Sequence, residues 1–85
     1  MNWMLFENTF GGWWMGVVVA PSEAEAKMAA TALLPNFRGN LAVWEDDGEL
    51  LSDLRLSDAE RAEFAQLAAA GGGISAGYAN VPYCQ

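Results

Sequence analysis

Apolar and polar positions divide this chain into segments of contrasting period. Residues 3–9 and 13–20 are rich in aromatic and branched side chains, which favour strands, and Phe10-Gly11-Gly12 separates them. Gly-Gly is a good two-residue turn, so the pair reads as a β-hairpin. That turn would set Phe10 opposite Trp13, Asn8 opposite Met15, Phe6 opposite Val17 and Met4 opposite Val19, an almost wholly apolar face that belongs to the core. The reverse face would pair Thr9 with Trp14, Glu7 with Gly16, Leu5 with Val18 and Trp3 with Ala20. The unbroken Val17-Val18-Val19 run argues that this second face is covered too, as in a central strand. The alternative is an open aromatic face for a partner, since tryptophan is enriched in binding hot spots.

Helical spacing takes over at Pro21. Ser22 with Glu25 three residues on forms a capping box, and Glu23 complements the N-terminal dipole, which predicts a helix over 23–34 ended by Pro35. Met28, Ala32 and Leu33, with Ala24, Ala29 or both, form its expected inward stripe. A third strand follows at 41–44, then Asp47-Gly48 as a turn into a weaker fourth at 49–54, whose register stays open because Asp46 and Glu49 would face each other. Ser57 with Glu60 opens a second helix with Phe64, Leu67 and Ala68 inward, stopped by the glycines at 71–73. A last strand is expected at 74–78.

The resulting order is ββαββαβ, an antiparallel sheet with two helices packed on one face of a single α+β domain spanning residues 1–85. Without its first strand this becomes the ferredoxin-like order, although a tight first hairpin competes with that arrangement.

Length limits what this pattern can build. Eighty-five residues allow one thin core, and 53% hydrophobic residues suffice to fill it. With a lone cysteine, Cys84, there is no disulfide framework to supplement the core, so a homodimer is one expected source of added stability. The same lone cysteine fits a reducing cytoplasm. No apolar run approaches membrane-spanning length.

Charge narrows the partners. Eleven acids against four bases give -7, which disfavours direct binding to nucleic acid or anionic lipid and favours a basic partner. Nucleophilic catalysis has little to work with, because histidine is absent and Cys84 lies beside the chain end with no basic neighbour. Zinc lacks ligands, the acids miss the alternating calcium-loop pattern, and the glycine run follows a helix where a phosphate loop would precede one. The expectation is a protein that is not an enzyme and carries no cofactor or metal.

Eight of the eleven acids lie between Glu45 and Glu63. An ordinary solvated turn and helix start accounts for such a run as well as an anionic ridge does. On the second reading Glu45, Asp46, Asp47, Glu49 and Asp53 would face a basic protein surface, with Trp44 or Trp14 as the anchor. In size and charge the chain resembles, as a class, small acidic virus-encoded inhibitors such as anti-CRISPR proteins, which occlude the nucleic-acid-binding surface of a host complex. That likeness implies action in the cytoplasm of a bacterial host. An immunity protein or antitoxin against a basic toxin would use the same physics, and a structural homo-oligomer would instead pair through the tryptophan-bearing strand face. A small carboxylate-dependent enzyme ranks last.

Overall fold

A computed structural model describes residues 1–7, 13–46 and 56–79. Strands β1 (Asn2–Glu7), β2 (Trp13–Val19), β3 (Leu41–Glu45) and β4 (Gly72–Ile74) form one sheet in the order β3-β1-β2-β4, every neighbouring pair antiparallel. Helices α1 (Glu23–Leu33) and α2 (Asp58–Ala69) and the single turn α3 (Ala76–Ala79) complete the described elements. The expected α+β domain with an antiparallel sheet is therefore present. The strand expected at 49–54, its Asp47-Gly48 turn, the Gly11-Gly12 turn and Cys84 lie outside the described residues.

The central position of β1 follows from its composition. Its residues 3–6, Trp-Met-Leu-Phe, do not alternate with polar ones, the mark of a strand buried on both sides, and all four are buried. Trp3 and Leu5 join Val18, Val43 and the α1 residues Ala26 and Ala30 in one cluster. Met4 and Phe6 join Val17 and the α2 residue Phe64 in a second, with Leu67 and Ala68 packed against it. The two helices therefore cover opposite faces of the sheet, which corrects the expectation of both on one face. One apolar strand with two faces needs two covers, and this chain has one long helix for each. Chain path agrees: β2 and β3 are both antiparallel to β1, hence parallel to each other, and α1 connects them across β1. The ferredoxin-like variant is not adopted, because β1 itself occupies the place between β2 and β3.

The first hairpin also differs in register. Glu7 pairs with Trp13 and Met4 with Val17, where the expected register set Glu7 opposite Gly16 and Met4 opposite Val19. Between Leu5↔Gly16 and Phe6↔Trp14 the register shifts by one, leaving Met15 as a bulge residue. Beyond it the faces exchange: Met15 falls in the Leu5 cluster and Trp14 faces Phe6, the reverse of the expected assignment. The Met15 carbonyl, turned out of the β1–β2 ladder, accepts from Ser75 N–H at 2.7 Å.

Helix α1 begins as expected, with Ser22 Oγ accepting from Glu25 N–H at 3.3 Å, but turns a different side inward. Ala26 and Ala30 face the sheet with Leu34 beyond the helix end, while Met28 is 71% exposed and Leu33 also faces solvent. The sheet face beneath already carries Trp3, Leu5 and Val43, so small alanines give the close fit that a methionine would prevent. Trp3 is pinned there by a buried hydrogen bond, its Nε1–H donating to Ala20 O at 3.0 Å.

Helix α2 matches its expected stripe and cap. Ser57 Oγ accepts from Glu60 N–H at 3.2 Å, and Glu60 Oε1 accepts from Ser57 N–H at 3.0 Å, a complete capping box. The glycines after it do more than stop the helix. Gly72 (φ +107°) and Gly73 pair with β2, and a Cβ on the facing Gly16 would collide with the Gly73 carbonyl. The last strand is thus 72–74, and residues 76–79 form a helical turn where a continuing strand was expected.

Candidate partner-binding surface

Residue Trp44 stands on β3, opposite Met4, and β3 is hydrogen-bonded on one side to β1. Its ring rests on Phe6, with centroids 5.1 Å apart and planes inclined at 45°, yet the residue remains 50% exposed. Such a tilted aromatic contact fixes the orientation of the indole while leaving one side open. Glu45, next along the strand, lies opposite Trp3 at the backbone and is exposed. Asp46 is half-buried, and its N–H donates to Asn2 O at 2.9 Å, extending the β1–β3 ladder by one step. A braced, open tryptophan and two acids therefore share the end of one strand. Asp47, Glu49 and Asp53 lie outside the described residues.

Three more acids of the 45–63 run, Asp58, Glu60 and Glu63, lie on α2. Glu60 closes the α2 cap, as above. Glu63 ties the chain end back to α2: its Oε1 accepts from Ser75 Oγ and its Oε2 from Ala76 N–H, both at 2.7 Å. Asp58 stays exposed in the first turn of α2, where the helix dipole favours a negative charge.

The two candidate anchors are also separated. Trp14 and Trp44 share a sheet face but stand two strands apart, opposite Phe6 and Met4 of the intervening β1. Trp14 is half-buried against the α2 cluster. Trp3 is buried under α1. Among the described residues Trp3 and Trp14 therefore do not share an open face.

Trp13, set on the core face by the expected hairpin register, is instead the most exposed aromatic among the described residues, at 58%. It lines a cleft of about 300 Å³ together with Trp14, Tyr78, Glu60, Glu63 and Ser75. The signal for it was the Trp-Trp doublet. Adjacent strand residues point to opposite faces, so two neighbouring tryptophans cannot both be covered by one helix.

Among the described residues no helix is long and apolar enough to cross a membrane. No protein-family model, curated protein or solved structure matches the chain, so any functional assignment rests on the geometry just described.

Proposed function

We propose that this protein is a small acidic inhibitor that binds a basic protein surface, one built to hold nucleic acid, and blocks it by mimicking the charge of that ligand. Its setting would be the cytoplasm of a bacterial host cell, with a viral origin in the manner of anti-CRISPR proteins. The observation that carries this reading is the open Trp44 indole, braced by Phe6 and followed directly by Glu45 and Asp46 at the end of β3. An aromatic side chain held in one orientation loses little entropy on binding and is the commonest kind of hot spot. Flanking carboxylates on a chain of charge -7 steer approach of a cationic surface and repel nucleic acid and anionic membranes.

Capture of partners from a bacterial lysate on the tagged protein, at low and then high salt, tests this directly. The expected result is a basic, nucleic-acid-processing complex that elutes as salt rises and is not retained by the Asp46→Lys/Asp47→Lys/Glu49→Lys variant. Retention of that complex by the reversed variant, with its fold intact by circular dichroism, would show the mimicry reading to be wrong.

A further inference from the structure

The cleft at the β4 side of the sheet combines two features that recognise the same chemistry. Trp13 and Trp14 from β2 and Tyr78 from α3 supply aromatic walls, and the Glu60 and Glu63 carboxylates of α2 stand among them. Aromatic faces attract cations through their quadrupole, and carboxylates attract them directly. The volume, about 300 Å³, lies at the small end for ligand pockets and suits one long side chain better than a large cofactor. Glu63 is locked in place by Ser75 Oγ–H and Ala76 N–H, and Glu60 by the Ser57 N–H, so neither carboxylate has to be ordered when a ligand arrives.

From this arrangement we propose that the cleft binds the guanidinium of an arginine side chain carried by a partner protein. Guanidinium is preferred over ammonium because its plane stacks on indole while its N–H groups reach carboxylates in a fixed fork. A protein-borne arginine is preferred over the free amino acid because it lacks the α-carboxylate that Glu60 and Glu63 would repel. This site is distinct from the Trp44 surface and does not depend on the inhibitor reading.

Titration of the ¹⁵N-labelled protein with N-acetyl-arginine methylamide, followed through the tryptophan indole N–H resonances, tests the assignment. The account expects saturable shifts of the Trp13 and Trp14 indoles with a dissociation constant on the order of 1 to 10 mM, as a few weak contacts allow. Trp13→Ala and Glu60→Gln should each weaken binding about fivefold. Both variants preserve the fold by design, since Trp13 is an open residue and glutamine also serves in a capping box. Trp44→Ala should leave the binding constant unchanged. The neutral citrulline analogue should produce no saturable shift, and free arginine should bind more weakly than the blocked amide. Equal binding of citrulline, binding unaffected by Trp13→Ala, or the absence of saturation would overturn the proposal. Tighter binding of free arginine would overturn its assignment to a protein side chain.

Discussion

The two faces of the sheet are closed in opposite ways. Under α1 the sheet supplies the bulk, with Trp3, Leu5 and Val43 meeting alanines at 26 and 30. Under α2 the helix supplies it, with Phe64 set against Met4, Phe6 and Val17. A helix that contributes only small side chains can approach closely, so the sheet's own large residues fill the space beneath it. On the other face Phe64 and Leu67 close the part beneath α2, and Trp44 projects from β3 away from it. The contrast teaches that the open aromatic is a consequence of packing: α2 contacts β2 and β4, and Trp44 lies on the far strand of the same face.

The contrast is broken most severely at its single large plug. Phe64→Ala should cost about 3–5 kcal/mol, because the cavity lies between a helix and a sheet that cannot both relax, and urea unfolding measures it. A loss below about 1 kcal/mol would mean that Phe64 does not hold this face. On the other face the sensitive change is added volume. Ala30→Leu should destabilise by about 1–3 kcal/mol through overpacking against the sheet, whereas Met28→Leu, on the outer side of the same helix, should change the midpoint little. Equal effects of these two substitutions would contradict the orientation of α1. Removing the α2 cap with Ser57→Ala should cost about 1 kcal/mol, read by thermal unfolding, without altering either cluster.

Much of this architecture was legible because its signals are local. Both helix starts lie at a serine followed three residues later by a glutamate, and the third strand and the Phe64 stripe occupy their expected positions. What escaped the sequence is set by tertiary fit. Alanines surround α1 on several sides, at 24, 26, 29, 30 and 32, so apolar periodicity alone favoured the larger Met28 and Leu33 as the core side. Volume matching to the sheet decided otherwise. The bulge at Met15 has no composition cue, and one extra residue was enough to move Trp14 to the opposite face. The candidate surface was legible only in part for a similar reason. Trp44, Glu45 and Asp46 are neighbours in sequence and share the end of β3, and the Glu60 cap was legible from its spacing to Ser57, but the tie from Glu63 to Ser75 and Ala76 is a tertiary contact with no local cue.

On the proposed function the partner meets the open part of the α2 face, around Trp44. Trp44→Ala tests it most directly, with stability and partner affinity measured on the same sample. The account predicts a stability loss of only about 1 kcal/mol, from the lost Phe6 contact, together with at least about tenfold weaker binding to the captured partner. Undiminished affinity in a folded Trp44→Ala protein would contradict the account and remove Trp44 from the interface.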